Sequence, residues 1–409
     1  MTPQPDSRYA VMRLMVALVL MTVGASGMYV VAVVLPAVQA DFGVARADAS
    51  MPYTWLLVGF GLGGILMGRL ADRFGVTVPI LISAAGLGLG YGLAATAENI
   101  WVFAAAHGLL IGLLGASATF APLIADTTLW FARRRGIAVA VCASGNYLAG
   151  TVWPPIVQHF VETAGWRSAY LGLAVFSAVV MLALAPLLRQ RPPLPMPSGQ
   201  AADGAAGDAS GRPFGLSPLA ATVLLCIAGL ACCVAMSMPQ VHIVAYCGDL
   251  GYGAARGAEM LSLMLGFGIV SRLISGAICD RIGGLRTLLL GSALQGLALL
   301  LFLPFDSLAS LYVISALFGL FQGGIVPSYA IIVREHFSPR EAGARTGTVL
   351  MFTLLGMALG GWMSGKVFDL TGSYDAAFLN GIAWNVVNLA IATALLLRVQ
   401  RRGRATAFT

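Results

Sequence analysis

Two short stretches decide the architecture: GRLADRFG, from Gly68 to Gly75, and GAICDRIG, from Gly276 to Gly283. Both read G-x-x-x-D-R-x-G, and they start 208 residues apart (276 less 68) in a chain of 409. Each copy follows a long apolar run and precedes another. Counting from one copy to the other advances six apolar runs, so the halves are parallel repeats, the pattern expected of two transporter domains around a central site.

Composition agrees with a chain that lives in lipid. Hydrophobic residues make up 58% and charged residues only 10%, against about 25% charged in a soluble domain. Apolar runs of about 20 residues cross a bilayer as helices. Twelve fall at 11–36, 52–71, 76–96, 101–125, 137–160, 168–188, 219–241, 258–279, 285–304, 309–333, 343–366 and 376–398. The first run is longer than a signal-peptide core and no small-residue cleavage site follows it, so it is expected to stay in the mature protein. The expected fold is an all-α membrane protein of two pseudo-symmetric six-helix bundles, 1–188 and 219–409. They are joined by a cytoplasmic linker, 189–218, whose Pro, Gly, Ala and Ser content suits a flexible segment.

Charge sorting fixes an expected orientation. With both termini inside, 19 of the 24 basic residues fall in cytoplasmic segments; Arg46, Arg167, Arg256 and Lys366 fall outside, and Arg272 remains in the membrane. The bias concerns Lys and Arg and not net charge, so the formal +7 reflects topology and no nucleic-acid partner is implied. The expected home is a bacterial inner membrane, which the arginine-rich composition with a single lysine suggests. The six cysteines (Cys142, Cys226, Cys232, Cys233, Cys247, Cys279) are scattered through apolar runs without a CxxC or Cys/His cluster. Buried thiols are expected, with no metal and no disulfide framework. No nucleotide loop, GxSxG or metal-ligand spacing is present, so neither a cofactor nor an enzymatic activity is implied. GLGLGYG, Gly86–Gly92, lies inside a membrane helix with no strand before it and reads as helix packing.

In the repeated motif, the leading Gly68 and Gly276 would allow close helix packing. Asp72 and Asp280, with Arg73 and Arg281, sit at helix ends where they can pair or cap a neighbour. Gly75 and Gly283 permit a tight turn. These eight residues resemble the cytoplasmic signature of the major facilitator superfamily, and with the twelve helices and central linker the resemblance covers essentially the whole chain. It implies alternating access, with the two loops latching the cytoplasmic gate, and a monomer. Trp130–Gly150 (WFARRRGIAVAVCASGNYLAG), Gly165–Arg167 and GSYDAAF, Gly372–Phe378, resemble the monocarboxylate-porter and oxalate-antiporter branch.

Arg272 lies eight residues before Asp280, roughly 12 Å from the helix end at 1.5 Å per residue. That is near the midplane of a hydrocarbon layer about 30 Å thick. An arginine there costs at least about 2.5 kcal/mol against lipid, and no Asp or Glu lies near the centre of any predicted helix. Its planar fork suits a substrate carboxylate. In the resembled branch an arginine of the eighth helix, four residues before the motif glycine, binds the carboxylate, and Arg272 stands four before Gly276.

Two departures narrow this reading. Mammalian-type members of the branch carry an aspartate four residues before that arginine, thought to handle the coupled proton, and this position is Gly268. The first-helix lysine and the antiporter's eleventh-helix lysine are also missing, so one cationic anchor argues for one carboxylate. Tyr29, Ser117, Thr119, Asn146, Tyr147, Gln322 and Thr353 are expected cavity-lining candidates, and His107 a proton-coupling candidate. The expected function is secondary active transport of a small monocarboxylate across the membrane by alternating access, as a proton symport. A proton-coupled exporter of hydrophobic compounds and an organic-anion exchanger are the alternatives. A transporter-like receptor is weighed least, since only eleven residues follow Arg398.

Overall fold

The computed structural model describes residues 6–131, 135–190 and 213–406, apart from the side chains of 135, 136, 339, 340, 342 and 402–406. All regular elements among the described residues are helical. This follows from the solvent, because backbone groups in lipid must bond within their own segment.

The first half contains α1 (Arg8–Phe42), α2 (Arg46–Phe74), α3 (Thr77–Ala95), α4 (Ile100–Trp130), α5 (Arg135–Ala164) and α6 (Trp166–Leu188). The second contains α7 (Pro218–Asp249), α8 (Ala254–Ile282), α9 (Gly284–Leu301), α10 (Leu308–His336), α11 (Pro339–Thr371) and α12 (Tyr374–Thr406). Among the described residues, eleven helical segments are long and apolar enough to cross a membrane. The exception, α5, has the length, but Asn146, Tyr147, Pro154, Pro155, Gln158 and His159 lower its hydropathy. Arg133 and Arg134 and most of the expected linker lie outside the described residues.

Three helices are interrupted. α1 breaks at Ala25 between Arg8–Gly24 and Ser26–Phe42. α4 passes from α-helix into a π-helical stretch, Ala106–Gly115, then a 3-10 turn, Ala116–Thr119, before resuming at Ala121. α10 breaks at Gly323–Gly324. Gly115 and Ala116 lie 208 residues before Gly323 and Gly324, so the breaks in α4 and α10 occupy equivalent places in the repeats.

Packing divides the chain differently from sequence. The described residues of the first half cluster with Gln240–Gly266, the end of α7 and the start of α8; Phe267 onward clusters with the stretch that ends at Pro239. In the first unit, GLGLGYG is a packing surface, as expected: a Cβ on Gly86 would lie 2.8 Å from the Leu114 Cβ, and one on Gly90 2.6 Å from Ile111. All six cysteines are buried and unbridged.

Candidate transport site and gate motifs

Arg272 is half-buried on α8. Its neighbour Ser271 is 1% exposed and packs against the break in α10, where a Cβ on Gly323 would lie 2.8 Å from that of Ser271 and would collide with the Gly268 carbonyl. Successive helical residues are turned by about 100°, so burying Ser271 at this contact fixes the direction in which Arg272 leaves α8. The repeat supports this orientation. Gly63 and Gly64 occupy the places of Ser271 and Arg272, 208 residues earlier. Gly63 is buried against the Ser117 side chain of α4, whereas a Cβ on Gly64 would meet nothing within 4 Å. In both copies the first position of the pair packs against the interrupted helix. Gln322, fully buried, immediately precedes Gly323 at the same α8–α10 contact.

In the first unit the structure brings Tyr29 and Asn146 together: the phenol donates to Asn146 Oδ1 at 2.7 Å. The glycines around Asn146 make this approach possible. A Cβ on Gly145 would lie 2.8 Å from Met21 Cβ, and one on Gly150 would lie 2.9 Å from the Tyr29 ring. Tyr147 is 9% exposed, and its carbonyl accepts from Thr151 at 2.9 Å.

The remaining lining candidates are turned into helix contacts. Ser117 donates to the Leu113 carbonyl at 2.6 Å, Thr119 to Ala116 at 2.8 Å and Thr353 to Leu350 at 2.7 Å. Each is buried, and each crowds a glycine on a neighbouring helix: Gly63, Gly24 and Gly229 respectively. His107 is fully buried in the π-helical stretch. Its Nδ1 bonds to the Phe103 carbonyl at 2.8 Å and its Nε2 to the Tyr170 hydroxyl at 3.0 Å. Tyr170 packs edge-on to Tyr91, whose hydroxyl bonds to Ser26 at 2.6 Å. Both imidazole nitrogens are thus engaged within one polar string in an aromatic shell.

The repeated motif behaves as a turn at both copies. Gly75 and Gly283 have φ of +83° and +82°, the left-handed region that favours glycine. The leading glycines differ from expectation: a Cβ on Gly68 or Gly276 would meet nothing within 4 Å, so they make no close helix contact here. Asp72, Arg73, Asp280 and Arg281 are exposed, and among the described residues none forms an ion pair. Beyond the second copy, Glu335 on α10 accepts the Gly284 N–H at 3.1 Å through both oxygens and so caps α9.

A model of the major facilitator superfamily matches residues 16–308 and 258–408, nearly the whole chain. The chain belongs to the major facilitator superfamily. It is similar to monocarboxylate transporter 13 of Rattus norvegicus, 28% identical over 78% of this chain and 72% of the relative. It is also similar to the MFS-type transporter opdF of Penicillium oxalicum, 26% identical over 83% and 78%. Among solved structures, a peptide transporter in complex with sulfate matches with a TM-score of 0.74, covering 98% of this chain and 97% of that one at 14% identity. A bacterial homologue of the human lysosomal transporter Spinster matches at 0.72, covering 97% and 98% at 13% identity. These two show the shared fold. The protein is therefore a multi-pass membrane transporter of this superfamily and not an enzyme.

Within this superfamily member, several polar pairs had no local signal in sequence. Arg13 and Asp126, 113 residues apart, form a nearly buried bidentate pair at 2.8 Å, with the guanidinium 4.7 Å over the Trp130 ring. Arg46, 6% exposed, pairs with Asp249 at 3.1 Å. The acidic partners lie at or beyond the ends of the predicted helices, where acidic residues are ordinarily solvated. Nothing in their immediate sequence marks them as paired.

Proposed function

We propose that this transporter moves a small monocarboxylate by alternating access and that Arg272 anchors the carboxylate. The observation that carries the reading is a half-buried arginine at mid-helix depth on α8, fixed in direction by the packed Ser271 beside it. A guanidinium stays protonated at any relevant pH, and at this depth its cost against lipid is met by water or an anion. A carboxylate accepts two parallel hydrogen bonds from the fork, which orients it as well as binding it. The similarity to relatives named monocarboxylate transporters supports the same substrate class. Proton symport, a bacterial inner membrane and cytoplasmic termini belong to the same reading. Gly268 stands where the resembled branch has its proton-handling aspartate, and His107, held at both nitrogens, serves packing.

The test is uptake of radiolabelled lactate, pyruvate, benzoate and oxalate into proteoliposomes, with and without an inward proton gradient. Wild type takes up a monoacid, the gradient accelerates it, and Arg272→Gln abolishes it. Arg272→Lys, which keeps the charge and loses the fork, retains partial uptake at a raised KM. Equal uptake by Arg272→Gln and wild type would overturn the assignment. A second reading is favoured by one observation: the similar proteins include the agnestins efflux protein AgnL12 of Paecilomyces divaricatus, 22% identical over 81% of this chain. Export of a hydrophobic compound that is indifferent to Arg272 would establish that reading.

A further inference from the structure

The far end of α12 carries a feature that transport does not use. Ala394, Leu397, Arg398 and Arg401 lie at helical positions i, i+3, i+4 and i+7, one continuous stripe. They line a cavity of about 510 Å³ together with Phe214 and Gly215, where the chain enters the second half. The stripe is graded. Leu397 is 47% exposed at the end of the apolar span Tyr374–Arg401, and the two arginines follow it. Both arginines are exposed, and among the described residues neither forms an ion pair.

The opposite wall is tightly packed. Phe214 is 2% exposed and holds a left-handed conformation, φ +56°. Its ring stacks on His336 at 4.4 Å and 25° and meets Phe337 edge-on at 6.4 Å. The cavity thus joins an apolar side, continuous with the exposed apolar surface of α12, to two guanidiniums one helical turn apart at the end of the apolar span. That shape complements an amphiphile and not a small soluble ion. Its apolar chain would lie along Ala394 and Leu397 while its anionic head is held by donors that suit phosphate oxygens bidentately.

We infer that this cavity, formed by Phe214, Gly215, Ala394, Leu397, Arg398 and Arg401, binds the phosphate headgroup of an anionic phospholipid. The inference stands apart from which solute the protein carries. Basic pockets at the membrane boundary hold such headgroups, with about 1 kcal/mol for each Lys or Arg near the surface. That is about fivefold in affinity per arginine and roughly 30-fold for the two.

Native mass spectrometry of the full chain in neutral detergent, titrated with phosphatidylglycerol or phosphatidylcholine, tests this. Wild type retains one phosphatidylglycerol at concentrations where phosphatidylcholine leaves none, and Arg398→Gln with Arg401→Gln raises half-saturation roughly 30-fold. Ala394→Trp, which fills the apolar side and keeps both charges, weakens retention as well. Arg286→Gln with Arg334→Gln, an equal loss of exposed charge elsewhere, leaves it unchanged. Equal retention of the two lipids, an unaffected Arg398/Arg401 variant or an equally affected control overturns the inference. Displacement by millimolar inorganic phosphate overturns it too, since the site would then be one for soluble anions.

Discussion

Arg13 illustrates how much one residue can do at a helix end. Its Nε and Nη2 reach both oxygens of Asp126 at 2.8 Å, and its guanidinium plane lies over Trp130. Trp130 in turn meets the edge of Tyr9, whose hydroxyl donates to the Leu187 carbonyl at 2.8 Å. One cluster therefore ties α1, α4 and α6 together. Breaking a buried pair from one side leaves the other charge stranded at a cost of about 3 kcal/mol or more. Arg13→Ala should lower the thermal unfolding midpoint of the purified protein well below wild type. Arg13→Lys, which lacks the fork, should fall between them, and an Arg13→Ala protein as stable as wild type would show that the pair contributes nothing. In sequence Arg13 reads only as one more positive charge at the membrane edge. Arg272 reads differently because its depth alone is anomalous, so one cation is legible in sequence as a candidate site and the other is not.

At the scale of elements, the repeat explains a packing arrangement that neither half explains alone. In the first half the small residue sits on α2: Gly63 admits Ser117 of α4. In the second it sits on α10: Gly323 admits Ser271 of α8, at the position 208 residues after Gly63. The helices approach closely both times, a glycine on one helix meeting a serine on the other, as packing without a hydrophobic drive requires. Gly323→Ala should destabilise the protein by roughly 1–3 kcal/mol, the usual cost of overfilling a tight contact. Adding Ser271→Gly should recover part of that loss, because the Ser271 Cβ is one of the two groups the new methyl strikes. Unfolding midpoints of the single and double variants decide it, and an unperturbed Gly323→Ala would remove this contact from the account. The twelve apolar runs were legible because lipid demands length and hydropathy and little else. The π-helical stretch of α4 was not, since AHGLLIGLLG, apolar but for His107 and free of proline, has the composition of an ordinary membrane helix. Its register follows from tertiary contacts, where Gly108 and Gly112 lie against the backbone of Trp55 and Leu56.

For the whole molecule, the boundary that packing draws differs from the boundary that sequence draws. The linker and the repeat place the division before α7, yet Gln240–Gly266 packs with the first six helices. Pro239 stands at one edge of that segment and a glycine-rich turn of α8, Gly266 and Gly268, at the other. Polar contacts help to hold the segment in place. Ser262 donates to the Thr151 carbonyl of α5, and Arg46 at the start of α2 pairs with Asp249 at the end of α7. The ion pair is unequal: the Arg46 side chain is 8% exposed and that of Asp249 43%. Solvent screens a half-exposed pair, so a double-mutant cycle of Arg46→Gln and Asp249→Asn should return a coupling of roughly 0.5–1 kcal/mol. The asymmetry adds a directional expectation. Asp249→Asn leaves a cation in a nearly buried place, whereas Arg46→Gln leaves an anion that water can reach, so the first should destabilise more. Exchanging the charges, Arg46→Asp with Asp249→Arg, should recover little, because the shorter aspartate at 46 would be buried and the longer arginine would have to reach inward from the exposed end. Additive single effects, or a charge exchange as stable as wild type, would mean that shape and not the ion pair keeps this segment with the first six helices.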